Sequence, residues 1–139
     1  MKAAVFYLFV MLNFSVLAQE DCMLGIGGQD DETITEVFQL NEEQKENLKN
    51  WSAELKIRNE ILRDKAEYLL KQNEESSPEL LLKVSKEYRD ILDSIKKNVR
   101  MIDKRMLSTF NPKQYEFYME LCNQLTLRPI HINTSIDEK

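Results

Sequence analysis

The chain has 139 residues, 31% of them charged and 42% hydrophobic, and a formal charge of −5. That length suits one domain. An acidic chain without a basic block argues against binding nucleic acid or anionic membrane surfaces.

Lys2 is followed by an almost wholly apolar run from Ala3 to Leu17, broken only by Asn13 and Ser15. Val16 and Ala18 occupy the small-residue positions before Gln19, so residues 1–18 read as a secretory signal peptide. An uncleaved anchor is the alternative, but a span usually needs about 20 apolar residues. Cys22 follows Gln-Glu-Asp instead of a small apolar run, which argues against a lipoprotein. No later apolar run is long enough to cross a bilayer, so no stable membrane insertion is expected after cleavage. The expected location is periplasmic or secreted.

Residues 19–40 read as an ordered but irregular lead-in. "CMLGIGG" holds all three glycines, and "QDDE" follows it. "TITEVFQ" has room for a short helical turn through Ile34, Val37 and Phe38. From Asn41 the pattern changes. Leu48, Trp51, Leu55, Asn59, Leu62, Ala66 and Leu69 recur in steps of three and four, the pattern of a helix packed along a coiled-coil-like seam. Asn59 is the polar member of that row. It either fixes register or lies at the seam's edge, and the edge is the expectation.

"NEESSP" ends this helix near Asn73. Ser77 caps the next, with Pro78 at its first position and Glu79 in its first turn. Leu81, Val84, Tyr88, Ile91, Ile95, Val99, Ile102 and Met106 form its seam, which runs to about Thr109. A short link makes two long helices antiparallel neighbours. A shorter third helix is expected from Pro112 to about Leu127, with Tyr115, Tyr118, Cys122 and Leu125 as its seam. Phe117 and Leu121 give it a second apolar flank. The helical domain therefore spans 41–127, and residues 128–139 read as a flexible polar tail.

The fold class is all-α: a long antiparallel helical hairpin with a shorter third helix and an irregular N-terminal lead-in. The mature chain keeps two cysteines, Cys22 and Cys122, and export predicts that they form a disulfide. Two free or metal-binding thiols are the alternative. A bridge would pin the lead-in onto the third helix, where Met23, Leu24 and Ile26 can cover Phe117 and Leu121.

One pattern occurs twice: "LNEEQ" at 40–44 and "FNPKQ" at 110–114. An Asn cap accepts a hydrogen bond from an unpartnered N–H of the first turn, and a Gln three residues on reaches back to the cap's own N–H. Asn41 with Gln44 and Asn111 with Gln114 thus mark two helix starts. Phe110 can staple onto Tyr115, whereas Leu40 meets only the stem of Lys45. With a leading export signal and long Lys/Glu-rich helices, the two stretches resemble the Leu-Thr-x-x-Gln motifs of the Spy/CpxP family, with Asn for Thr in both and Phe for Leu in the second. The resemblance covers residues 40–122. It implies a small exported all-helical protein that acts as an ATP-independent chaperone or envelope-stress adaptor.

Reaction chemistry is not visible. His131, the single histidine, lies in the tail, where nothing positions it as a base. "GIGG" lacks the Lys-Ser/Thr of a phosphate loop. One His and two distant Cys do not match zinc spacing, and "QDDE" reads as a solvated acidic run. No enzyme activity, metal or cofactor is expected. The one surface feature that points outward is a stripe of Ile57, Ile61 and Tyr68, which fall together at about 100° per residue, far around the helix from its seam. It is covered by the third helix, forms a homodimer face, or holds a protein partner. The expected function is non-enzymatic protein binding to partly folded clients; the alternative is a structural module that docks one envelope partner.

Overall fold

Local chemistry sets each helix boundary. The computed structural model describes residues 20–28 and 31–132. The signal peptide expected over 1–18 and the last residues of the tail, 133–139, lie outside the described residues. Among the described residues four helices follow in order: α1 (Asp31–Val37), α2 (Glu42–Gln72), α3 (Pro78–Leu107) and α4 (Pro112–Gln124). Among the described residues there is no strand, only an isolated parallel bridge between Asp21 and Arg128. The all-α class is as expected.

α2 and α3 run antiparallel. Arg105 donates to Glu54 at 3.0 Å, and Asn98 donates to Asn59 at 3.1 Å, so positions that rise along one helix fall along the other. Asn59 is buried between the helices and not at the edge of the seam. Its carboxamide oxygen has a partner in Asn98, which removes the cost of burying it. A polar pair of this kind fixes the register of two helices.

The core lies at the base of the hairpin. Leu48 and Leu55 of α2, Ile102, Met106 and Leu107 of α3, and Tyr118 and Cys122 of α4 form one buried cluster, closed by Ile26, Ile34 and Phe38. Beyond Asn59 the buried apolar side chains are Ala66, Val84 and Ile91. The distal half of the hairpin is therefore two helices thick with no third layer.

The repeated stretch builds that base. Asn41 and Asn111 are both caps, each inside a complete capping box with Gln44 and Gln114. The two glutamines then meet. Gln44 Nε2 donates to Gln114 Oε1 at 2.9 Å, and Gln114 Nε2 donates back to Gln44 Oε1 at 3.1 Å. Their second amide hydrogens reach Thr109 O at 2.7 Å and Phe38 O at 2.9 Å, each just before the other glutamine's helix. Each Oε1 also accepts its own cap's N–H, at 3.0 Å from Asn41 and 2.9 Å from Asn111. Every donor and acceptor of both buried amides is used, so the pair adds no unsatisfied polar group. The repeat is thus two halves of one clasp that ties the start of α2 to the start of α4.

The lead-in is less irregular than its sequence suggests. Asp31 opens α1 by accepting from Gly27 N at 3.0 Å, and Ile34 and Phe38 bury one side of it. Gln39, at φ 49°, turns the chain out, and Leu40 N–H closes the helix on Thr35 O at 3.0 Å. Val37 points outward. Phe117 does not find Met23 as its cover; it meets the ring of Phe38 edge-on, with centroids 5.8 Å apart. Ile26 instead enters the main core, and Gly27, at φ 81°, leaves only 3.0 Å between Leu55 and any added Cβ.

Two further corrections concern the C-terminus. α4 ends at Gln124 with Leu125 as its cap, so Leu125 is exposed and not part of the seam. The tail is held through residue 130. Cys22 N donates to Arg128 O and Arg128 N to Glu20 O, both at 2.8 Å, and Ile130 is buried. Ile130 N donates to the Tyr118 hydroxyl at 2.8 Å, while Tyr115 donates to Ile130 O at 3.1 Å. The backbone of this segment finds its partners in the lead-in at Arg128 and in the tyrosines of α4 at Ile130.

Candidate protein-binding face

Ile57, Ile61 and Tyr68 are 61%, 65% and 62% exposed. They lie on the side of α2 that faces away from α3. α4 does not cover them, because its buried residues Tyr118 and Cys122 engage the core at the base. Polar side chains frame the stripe: Arg58 pairs with Glu54 at 2.9 Å, and the Tyr68 hydroxyl accepts from Gln72. The Glu54 carboxyl is held below its ordinary range, first by its hydrogen bond from Arg105. Arg105 also lies over the Trp51 ring at 5.5 Å, so this end of the stripe is stiffened from α3.

The sequence reading did not single out the turn between α2 and α3. Leu70, Leu80 and Leu82 are exposed there, Leu82 by 75%, and Leu81, expected in the seam of α3, is exposed as well and does not belong to it. The "LLL" run at 80–82 was the available signal, since three consecutive leucines cannot all face one seam. Exposed apolar side chains therefore also occur at the tip of the hairpin, apart from the stripe on α2.

The cysteines form a disulfide between Cys22 and Cys122, with a Cα–Cα distance of 5.7 Å. It joins the lead-in to α4 inside the core. A second tie was not foreseen. Asp103 is fully buried, and its carboxylate accepts from Leu24 N at 2.7 Å, Gly25 N at 3.3 Å and Ile26 N at 3.3 Å. Burial pushes its pKa up to about 6, against the pull of those three N–H groups. Tyr118 adds a third tie by donating to Cys22 O at 2.7 Å, and burial raises its own pKa.

These groups are structural partners of one another. Asp103 has every contact taken by the lead-in. The described part of "QDDE" is Asp31 and Glu32, and Asp31 serves the turn before α1; Gln29 and Asp30 lie outside the described residues. His131 is exposed. No three metal-ligating side chains come together among the described residues, and no helix there is long and apolar enough to cross a membrane. Searches of protein-family models, curated proteins and solved structures find no match to the chain.

Proposed function

We propose that this is an exported, non-enzymatic protein-binding chain that works as an ATP-independent chaperone or envelope-stress adaptor. The observation that carries the reading is the stripe of Ile57, Ile61 and Tyr68, which no element among the described residues covers. Its size fits a reversible holder. Burying the exposed part of three such side chains is worth roughly 3–5 kcal/mol at 25 cal/mol per Å². Association itself costs several kcal/mol against this, so a client segment is held weakly and released without an energy source. The distal half of the hairpin is thin and carries no catalytic grouping, and the well-tied base keeps it presented.

The test is suppression of aggregation of unfolded exported proteins, with the triple variant Ile57→Ser, Ile61→Ser, Tyr68→Ser as comparison. The parent chain should slow aggregation of several unrelated clients, and the variant should lose most of that effect at unchanged helicity. Absence of suppression by the parent at molar excess defeats the reading. A second reading rests on the narrowness of the stripe, which suits one defined partner helix. It requires a pull-down to return a single dominant envelope protein, lost in the same variant.

A further inference from the structure

The opposite edge of the hairpin is cationic. α3 carries eight basic and five acidic side chains, a formal +3 in a chain of −5. Lys86, Arg89, Lys96, Lys97, Arg100 and Lys104 are all exposed. At 100° per residue they share an arc of about 100°, on the side away from the buried Ile91 and Ile102, over a length of about 27 Å. Asp93 is the acidic side chain inside that arc. In the sequence these cations are never more than two in a row, so they form no basic block; the helix gathers them. The docked tail adds Arg128, which with Lys96, Lys97 and Arg100 lines an open groove of about 680 Å³. Asp21 at the groove's edge accepts from both Arg100 and Arg128, the latter at 2.6 Å, and Glu20 lies beside it. A carboxylate of the chain thus already rests between two guanidinium groups.

We propose that this face docks the protein peripherally on an anionic phospholipid surface. The cations form one row along the exposed side of the helix, an arrangement that meets a plane of head groups at several points at once. Apolar side chains accompany the cations: Leu82 lies on the same arc and is exposed, and Met23 borders the groove and is exposed. A row of four to eight Lys/Arg on a helix of this kind matches anionic head groups, and apolar side chains add contact at the acyl boundary. The acidic remainder of the chain is repelled by the same surface, so α3 faces the lipid and the stripe on α2 faces away from it. This docking is separate from client binding on the stripe, because Ile57, Ile61 and Tyr68 lie on the side of α2 that faces away from α3.

The test uses the protein as recovered after export, disulfide intact, in co-sedimentation with vesicles of equal parts phosphatidylglycerol and phosphatidylcholine. Binding should exceed that to pure phosphatidylcholine vesicles at least tenfold at low salt. It should vanish at 0.5 M NaCl, where screening shortens the reach of surface charge to about 4 Å. The variant Lys86→Gln, Lys96→Gln, Lys97→Gln removes three exposed charges and should bind on the order of 100-fold more weakly. Equal binding to neutral vesicles, salt-insensitive binding, or an unaffected variant overturns the proposal. So does equal or tighter binding to polyglutamate, which would give the face to an acidic polypeptide, or to soluble glycerol phosphate, which would make it a discrete anion site.

Discussion

Removing one glutamine of the clasp tests whether the repeated stretch is two separate caps or one joint. In Gln114→Ala the Asn111 N–H loses its acceptor, Phe38 O loses its donor, and Gln44 loses both bonds to its partner. Each such bond contributes about 0.5–1.5 kcal/mol net, so the variant should lose roughly 2–6 kcal/mol. Gln44→Ala should cost a similar amount. Both single changes break the same two amide–amide bonds, so the double variant should cost less than the sum by about 1–3 kcal/mol. Gln114→Glu separates the roles further. It keeps an acceptor for the cap and loses the donor to Phe38 O, so a mere cap predicts little change and the clasp predicts a loss of about 2 kcal/mol or more. Urea unfolding followed by circular dichroism, disulfide intact, gives all four values. Additivity of the two alanine changes within about 0.3 kcal/mol, or a neutral Gln114→Glu, refutes the clasp.

Two other ties make predictions of their own. Asp103 has a folded pKa of about 6, above its ordinary 3.8, so the folded chain takes up its proton first as pH falls. Stability should therefore rise by about 2 kcal/mol as pH drops from 7 to 4.5. The rise should be absent in Asp103→Asn, as measured by denaturant midpoints at each pH; equal pH profiles for the two proteins contradict the assignment. Below pH 4.5 the opposite trend enters, because Glu54 is held below that value and loses its Arg105 partner on protonation. The Cys22–Cys122 bond closes a loop of sequence separation 100. Its reduction should cost about 4–5 kcal/mol and lower the melting temperature, and a calorimetric scan with and without reductant that shows no shift would contradict this.

What was legible in the sequence was local. Both capping boxes depend on residues three apart, and the seams depend on steps of three and four, so Asn41, Asn111 and both long helices could be read directly. The stripe on α2 followed from the same periodicity. The parts that were missed all depend on partners far along the chain. Gln44 and Gln114 are 70 residues apart, Asn59 and Asn98 are 39 apart, and Asp103 lies 77 or more from the N–H groups it accepts. Asp103 sits among Arg100, Lys104 and Arg105 in the sequence and reads as part of a solvated face; only the lead-in, with its backbone donors, makes its burial tolerable. Ile130 was hidden in a polar tail because its anchors, Tyr115 and Tyr118, belong to another element. Composition likewise concealed the cationic edge of α3, since a net charge averages over faces that point in opposite directions.

The central claim is that partners are held on the outer side of α2, away from the clasped base. Amide chemical-shift mapping of the isotopically labelled protein, titrated with an unfolded exported client, tests it most directly. Perturbations centred on residues 57–68 and sparing Tyr118 and Cys122 are the predicted result. Shifts confined to α4 and the lead-in, or none at a millimolar client concentration, would contradict the account.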